Sequence, residues 1–213
     1  MKQLSTPGSP AIVNQRKNQI IEAAISVLLE KGINATSMND IIRASGFSKG
    51  GVYHHFNSKE VLLVGVLDYF FEQYCSDRVA PAPGFESAVE QLRQMVSGHQ
   101  DMLIKLGEYN TLMMDFFTQA THIKLIMEKF QQQYSLFQTA IAELIRLGID
   151  NGEFRGNTNA EAIASGIIGV FDGTGLALMI APDNVAFPDC AVLTALAIID
   201  GIKRQDSFKP SKN

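Results

Sequence analysis

Apolar residues recur at helical spacing along almost the whole chain, and this periodicity restricts the possible folds more than any other feature of the sequence. An early example is the set Ile20, Ile21, Ala24, Val27 and Leu28, which shares one face of a helix. No segment shows the strict alternation of a half-buried strand. The pattern predicts an all-α protein of about nine helices, and 213 residues of which 46% are apolar suffice to bury a large core.

Capping and turn signals predict where the helices begin and end. Ser37–Asp40, Ser87–Glu90 and Thr158–Glu161 have the spacing of capping boxes, and Gly32 is placed to end the first helix. Ala80–Gly84 is the clearest linker. The expected helices span about 15–31, 37–44, 48–56, 58–78, 87–106, 108–119, 123–149, 159–180 and 190–203.

Charge differs between the two ends of the chain. The first 60 residues carry seven Lys/Arg and four Asp/Glu, whereas the remainder carries eleven and eighteen. The asymmetry indicates that only the first segment meets a polyanion, although a chance fluctuation explains it equally well. Cys75 and Cys190 have neither disulfide-framework nor zinc-ligand spacing, which suits a reducing cytoplasm. The first 17 residues lack the apolar run of a secretory signal.

Residues 162–181 are apolar enough to be tested as a membrane span. They contain one charged residue, Asp172, and the Gly169–Gly173 spacing that also occurs between membrane helices. A carboxylate at the bilayer centre costs about 2.5–3.5 kcal/mol, and neither end of the segment carries a basic cluster. We therefore expect a helix buried inside the protein and no membrane partner.

The segment Thr36–Glu60 carries the strongest functional signal. Its two short helices, joined by residues 44–47, have the form of a helix-turn-helix, whose second helix can lie in the major groove of DNA. One side of the pair is apolar and docks onto the first helix, through Ile41, Ile42, Phe47, Val52 and Phe56. The other side of the second helix presents Lys49, Gly50, Tyr53 and His54.

Two adjacent glycines, Gly50 and Gly51, are unexpected in a helix of about seven residues, because each costs about 1 kcal/mol relative to alanine. Without side chains, the first turn can bring its backbone N–H groups close to a phosphate or a base edge. Ser48 and Lys49 lie at the same positive helix end, where an anion is favoured. The alternative is that the glycines only relieve a tight turn.

Other polar residues of the segment are expected at its edges. Tyr53 and Lys59 are candidates for contacts with phosphates that flank the groove. We expect no metal at His54–His55, because adjacent helical residues point about 100° apart and no cysteine or acidic cluster completes a site. Arg16–Lys17 either approaches the DNA backbone or belongs to a solvated tail.

The chain from Arg16 to about Phe70 resembles the TetR family of transcriptional regulators. The matching residues are Lys31-Gly32, Thr36-Ser37, the run 46–56 and Ser58-Lys59-Glu60. The resemblance implies a homodimer whose subunits combine a three-helix DNA-binding domain with a larger helical domain that binds an inducer. It also implies that operator DNA is contacted by Thr36, Ser48, Lys49, Gly50, Gly51, Tyr53, His54 and Lys59. We place the tail and DNA-binding domain at 1–60 and the ligand-binding and dimerisation domain at 61–213, linked by the helix 58–78.

Residues 85–203 contain six of the eight methionines, and methionine-rich, aromatic surfaces adapt well to apolar ligands. This composition predicts a pocket for a mostly apolar small molecule, with Tyr109 or Asp172 as the polar anchor. Ordinary core packing is the alternative for each residue. The candidate pocket residues are Met102, Leu106, Tyr109, Met113, Phe117, Phe130, Tyr134, Phe137, Phe171 and Asp172.

Three glycines in the penultimate helix share one face and would let a partner helix approach closely, while the last helix offers apolar residues at helical spacing. A two-fold, four-helix dimer interface is therefore expected, unless the glycines make room for ligand. The candidate interface residues are Gly166, Gly169, Gly173, Leu193, Leu196 and Ile199. Such a dimer can place two recognition helices about 34–36 Å apart, and ligand binding that moves helix 58–78 would change this distance.

Two other classes of protein are less consistent with the sequence. An enzyme is not expected, because the sequence has no G-x-S-x-G, HExxH, Walker or Rossmann motif and neither cysteine has a histidine nearby. A helical dimer that binds ligand without DNA is disfavoured by the intact segment 48–59. We predict a cytoplasmic, ligand-responsive repressor that needs no metal or cofactor.

Overall fold

A computed structural model describes residues 10–75, 87–181, 183 and 187–204 of the protein. These residues form nine α-helices and no β-strand, which confirms the all-α prediction. The helices are α1 (Pro10–Ala35), α2 (Met38–Ser45), α3 (Lys49–His55), α4 (Lys59–Cys75), α5 (Ala88–Leu106), α6 (Asn110–Ala120), α7 (Lys124–Asp150), α8 (Ala160–Ile180) and α9 (Phe187–Ile202). A 3₁₀ turn, Gly107–Tyr109, precedes α6. The predicted linker Ala80–Gly84 lies outside the described residues.

The helix-end signals agree with the structure in most places, and α1 is the main exception. It begins at Pro10 and continues past its predicted end to Ala35, with a break at Gly32 (φ 77°, ψ 162°). Gly32 thus interrupts α1 with a positive φ, but its ψ lies outside the left-handed helical region and one further turn follows, so the predicted end of the first helix at Gly32 is wrong. The N-cap of α8 is Asn159 rather than Thr158, so the capping box predicted from Thr158 is wrong; the Asn159 side chain accepts the N–H of Ala162.

The chain divides into two compact units. The first unit comprises Met1–Tyr74 and Thr111–Gln131, and the second comprises Cys75–Asn110 and Gln132–Asn213. The boundary therefore falls inside α7, and most of α6 groups with α1–α4. The division of function after residue 60 stays a prediction, since compactness alone does not test it.

The first unit is held together by apolar side chains that α1–α4 and α6 turn inward. Phe56, at the end of α3, packs against Gly65 of α4, where an added Cβ would come within 2.7 Å of the ring. This close approach fixes the end of α3 on α4. The buried residues of the unit include Ile20, Ile21, Ala24, Leu28, Ile41, Val52, Phe56, Leu62, Leu63, Val66, Leu67 and Phe116.

In the second unit α9 packs against both α5 and α8. The core of the unit includes Leu92, Ile141, Ile145, Phe154, Ile167, Phe171, Ala195 and Ile199. The end of α9 is joined to the segment after α7 by main-chain hydrogen bonds, from Arg155 N–H to the Ile202 carbonyl (3.0 Å) and from Arg204 N–H to the Glu153 carbonyl (2.9 Å). These bonds close the unit around its core.

Helix α8 differs from the buried helix that the sequence predicted. Its buried residues are Ala160, Ala164, Ile167 and Phe171. In its most apolar stretch of 18 residues, 17% of the residues are buried. It is long and apolar enough to cross a membrane by length and composition, a test that core helices also pass. The expectation of full burial was wrong for the single chain, because only one face of α8 packs on its own unit.

Candidate nucleic-acid interface

A reciprocal capping box starts α2, as the sequence predicted. The Ser37 side chain accepts the Asp40 N–H (3.2 Å), and the Asp40 carboxylate accepts the Ser37 N–H (2.9 Å). The Lys31 ammonium lies 2.8 Å from Asp40 Oδ1. This contact, followed by the Ser37 hydrogen bonds, holds the pKa of Asp40 well below its usual range. The start of α2 is therefore fixed by a carboxylate that stays charged at neutral pH.

A left-handed Gly46 (φ 69°) ends α2 and turns the chain into α3. Ser48 caps α3, and its side chain accepts the Gly51 N–H at 3.2 Å. On the inner side Ile41, Val52 and Phe56 are buried, as predicted, while Ile42 and Phe47 are half-buried. The two helices thus form a docked helix-turn-helix.

The outer side of α3 is exposed where the sequence placed it. Lys49, Gly50 and His54 are exposed, and Tyr53 is 38% exposed. The Lys49 ammonium lies 5.8 Å from the centre of the Tyr53 ring, within range of a cation–π contact. The structure therefore brings a cation, a phenol and an imidazole together on one open helix face.

The sequence left two explanations for the glycine pair, close approach of the backbone to DNA or relief of a tight turn, and the structure distinguishes them at Gly50. Neither Gly50 nor Gly51 has a positive φ, and both lie inside α3 rather than in a turn. A Cβ added at Gly50 would meet no atom within 4 Å, whereas one at Gly51 would lie 3.3 Å from Ser48 Oγ. The protein's own packing therefore does not require glycine at position 50.

Two further candidates for DNA contact have their side chains engaged within the protein. Thr36 is 3% exposed, and its hydroxyl donates to the Gly32 carbonyl at 2.8 Å. The Lys59 ammonium donates to the Ile33 carbonyl at 2.5 Å, and burial lowers the pKa of Lys59. In this structure both side chains therefore bind the protein's own main chain and are not presented on the outer face of α3.

Positive charge collects beside α3. His55 is half-buried, and burial, followed by the charges of His54, Lys17 and Arg16, lowers the pKa of His55. The choice that the sequence left open for Arg16–Lys17, between the DNA backbone and a solvated tail, stays a prediction. Among the described residues, no group of three or more His, Cys, Asp and Glu side chains could hold a metal ion.

The second unit contains an apolar cavity between α5, α7 and α8. Its accessible volume is about 90 Å³, and its one ionisable lining residue is Asp172. Asp172 remains partly open to solvent, and burial by the surrounding protein atoms raises its pKa. The cavity is lined by Met95, Val96, Phe137, Ile141, Ile167, Ile168, Phe171 and Asp172.

Three of the predicted pocket residues, Phe137, Phe171 and Asp172, meet in this cavity. Tyr109 and Tyr134 belong to the same unit but do not line it. Phe117 and Phe130 instead stack on each other in the first unit, with ring centres 4.5 Å apart, and Met113 belongs to that unit too. The side chains of Met102 and Leu106 lie outside the described part of the structure. The sequence did not single out Met95 or Ile168, which only the packing of three helices reveals.

The predicted dimer face is partly open in the single chain. Gly166, Gly169 and Gly173 are exposed, and an added Cβ would meet no atom within 4 Å at any of them. Leu193 on α9 is 65% exposed. Ile199 is 0% exposed and Leu196 packs against the core, so Ile199 has no surface to offer a partner in this structure.

The docked helix pair and its open outer face define a helix-turn-helix protein of the kind that binds duplex DNA. Residues 20–66 match the family described as bacterial regulatory proteins, tetR family. Residues 88–203, more than half of the chain, match the C-terminal domain of BetI-type transcriptional repressors. The chain belongs to the TetR family of transcriptional regulators, and these are DNA-binding proteins rather than enzymes.

Known proteins similar to this chain include regulators and ligand complexes. An uncharacterised helix-turn-helix regulator of Bacillus subtilis, YfiR, is 26% identical over 78% of this chain and 82% of its own length. A regulator from Saccharomonospora viridis, solved with choline, has a TM-score of 0.74 at 21% identity and covers 90% of this chain and 100% of that one. A SmeT–triclosan complex has a TM-score of 0.75 at 17% identity, and the match covers 93% of this chain and 96% of that one. At these identities the two structures show a shared fold.

Proposed function

We propose that the protein is a homodimeric repressor whose two α3 helices bind operator DNA and which a small, mostly apolar molecule releases. The observation that carries the proposal is the open face formed by Lys49, Gly50, Tyr53 and His54. A duplex that lies against this face can meet the α3 backbone directly at Gly50, where nothing covers the helix. Ser48 and Gly51, at the same end of α3, complete the proposed contact.

Thr36 and Lys59 are proposed as DNA contacts on weaker grounds, since their side chains bond to the protein's own main chain. A lysine can leave a carbonyl for a phosphate, because a charged acceptor makes the stronger hydrogen bond. The buried hydroxyl of Thr36 has no such freedom, so its contribution would come from the position of the main chain at the start of α2.

Dimerisation is supported by the open small-residue face of α8. Exposed glycines allow two helices to approach closely, and Leu176, Ile180 and Leu193 add exposed apolar area on α8 and α9. A two-fold dimer that binds a palindromic operator needs its two recognition helices about 34–36 Å apart, to match successive major grooves. Ile199 is not part of this proposed interface.

The apolar cavity supports the ligand part of the proposal. Apolar walls favour an apolar ligand body, while Asp172 with the rings of Phe137 and Phe171 favours one hydrogen-bond donor or cation on it. Choline and triclosan, bound by the two fold neighbours, differ so much that the ligand class rests on this cavity alone. Release requires that the ligand bind the DNA-free conformation more tightly. We place the protein in the cytoplasm, where operator DNA is accessible.

Selection from a random duplex pool tests the DNA-binding function directly. We expect the protein to enrich a palindrome whose half-sites are one helical turn apart, and the DNA upstream of its own coding region to compete for binding. A Tyr53→Ala and His54→Ala double variant should lose the enrichment. If the wild-type protein enriches no sequence, the chain is a ligand-binding helical protein without an operator.

The ligand proposal is tested by a thermal-shift screen of small molecules at matched apolar size. We expect stabilisation by apolar amines and phenols and none by strongly ionic metabolites. An Asp172→Asn variant should lose affinity for the amines by about tenfold while it keeps affinity for neutral apolar compounds. Stabilisation by ionic metabolites alone would contradict the proposed ligand class.

A further inference from the structure

The break in α1 creates a corner, residues 32–37, from which α2 starts. Gly32 leaves the helical conformation, and the Thr36 hydroxyl takes up the Gly32 carbonyl at 2.8 Å. The side chain of Ile33 is fully buried at 1% exposure. The main chain of Ile33 lies next to this break: its carbonyl accepts the Thr36 N–H at 3.4 Å, and it also receives bonds from side chains of other helices.

Two oppositely charged side chains from different helices bind the main chain of Ile33. Asp115 on α6 accepts the Ile33 N–H at 3.3 Å, and Lys59 on α4 donates to the Ile33 carbonyl at 2.5 Å. One turn after Asp115, the side chain of Gln119 donates to Asn34 Oδ1 at 2.9 Å. Asp115 and Gln119 are four residues apart, so a single face of α6 binds two consecutive residues of the corner.

The corner is held by these bonds and not by close packing alone. An open cavity of about 240 Å³ lies beside it, lined by Ile33, Ser58, Lys59, Glu60, Leu63, Gln119 and Ile123. Burial of the Ile33 side chain holds the corner against the core, and the hydrogen bonds add a fixed distance and direction to that packing.

We propose that Asp115 and Gln119 are positioning residues for DNA recognition, which act through Ile33 and Asn34 and never touch the duplex. The capping box of α2 follows three residues after Asn34, and α2 and α3 are docked as one apolar unit. Any displacement of the corner is therefore passed to the outer face of α3. This role rests on the proposed DNA contact by α3.

A double variant, Asp115→Ala with Gln119→Ala, tests the role against the selected operator. We expect about tenfold weaker operator binding by fluorescence anisotropy, from the loss of two hydrogen bonds. The slope of log affinity against log salt should not change, because no phosphate contact is lost. The Ile33 amide should exchange faster with solvent deuterium. Asp115→Asn, which keeps an acceptor at the same place, should bind within about twofold of wild type.

The matched control is Phe116→Leu, which loosens the core of the same unit on the same helix. We expect this variant to stay folded at 25 °C and to keep its operator affinity, even if its loss of stability equals that of the double variant. Equal loss of affinity in both would overturn the positioning role, as would wild-type affinity in the double variant. If the wild-type chain selects no DNA at all, the proposed function fails first and this role fails with it.

Discussion

At Gly50 the requirements of helix stability and of DNA recognition oppose each other. Alanine there would favour the helix by about 1 kcal/mol, and its methyl group would meet no protein atom within 4 Å. The same methyl group would stand on the face of α3 that is proposed to meet the duplex. We expect Gly50→Ala to raise the free energy of unfolding by up to about 1 kcal/mol and to weaken operator binding at least about tenfold.

Urea unfolding and fluorescence anisotropy measure the two effects separately. The matched control is Gly98→Ala on α5, another helical position where an added Cβ meets nothing within 4 Å. That variant should gain stability and keep its operator affinity. Unchanged DNA binding in Gly50→Ala would show that the duplex does not approach this part of α3.

Lys59 has two possible routes to DNA affinity, and salt dependence distinguishes them. We expect Lys59→Ala to weaken binding to all duplex sequences alike and to reduce the slope of log affinity against log salt by about one. Titration with duplexes of different sequence at several salt concentrations gives both quantities. Weaker binding with an unchanged slope would mean that Lys59 acts only through the Ile33 carbonyl.

The sequence predicted the exposed face of α3 better than the hydrogen bonds that support it from within the protein. Lys49, Tyr53 and His54 follow from helical periodicity, which alone decides the face on which they lie. The partners of Thr36 and Lys59 depend on how the chain continues after the break at Gly32, and periodicity contains no information about that path. For the same reason Asp115, 82 positions from Ile33, was not identified.

At the start of α5, a residue distant in sequence supplies part of the helix cap. Ser87 caps it as predicted, since its side chain accepts the Glu90 N–H at 3.3 Å. The acid that binds the first turn, however, is Glu153, which accepts the N–H groups of Ala88 (3.0 Å) and Val89 (3.1 Å) and the Ser87 hydroxyl. Capping motifs predict where a helix begins, but an acid 66 residues away is placed only by tertiary packing.

Glu153→Gln should therefore destabilise the second unit. Burial opposes the charge of Glu153, but the hydrogen bonds from Ser87, Ala88 and Val89 outweigh it and lower the pKa. We expect a loss of about 1–2 kcal/mol in the free energy of unfolding at neutral pH. Because the folded pKa lies below the ordinary 4.5, this stabilisation is present above that pH and is lost as pH falls through the folded pKa.

Chemical denaturation between pH 3 and pH 7 checks the prediction, where the difference between wild type and variant should shrink toward the acid end. Glu90→Gln is the matched control, because Glu90 lies exposed in the first turn of the same helix. It should change stability by no more than about 0.5 kcal/mol. A loss as large as that of Glu153→Gln would assign the effect to helix charge in general.

For the molecule as a whole, the open face of α8 predicts a specific effect on assembly. Gly169→Glu adds a side chain where the protomer has room for one, so each subunit should fold normally. Across a two-fold axis it would place two like charges in a close helix contact. We expect the Kd of the proposed dimer to rise at least about a hundredfold, as measured by sedimentation velocity. The helical content measured by circular dichroism should not change.

Gly156→Glu, at an exposed loop position with nothing within 4 Å, adds the same charge and should leave the dimer intact. A wild-type protein that sediments as a monomer at micromolar concentration would refute the interface itself. Operator binding of Gly169→Glu should fall with its dimer fraction.

The number and order of the helices could be predicted from the sequence. For the pocket, the sequence predicted an apolar lining but not most of the residues that form it. Helix number and order follow from periodicity and caps, which are local. The lining of a cavity depends on which helices meet, so Phe117 and Phe130, equally apolar and equally well spaced, stack in one unit while Phe137 and Phe171 line a cavity in the other. Composition does not distinguish these outcomes.

If two chains pair through the uncovered side of α8 as proposed, the activity of this regulator depends on its concentration. A single chain exposes Leu176, Ile180 and Leu193 to water, and association with a second copy would bury them. Below the dissociation constant of the proposed dimer, the concentration of dimer rises with the square of the chain concentration. A modest fall in synthesis would then lower the proposed operator occupancy more steeply than it would for a regulator that acts as a monomer.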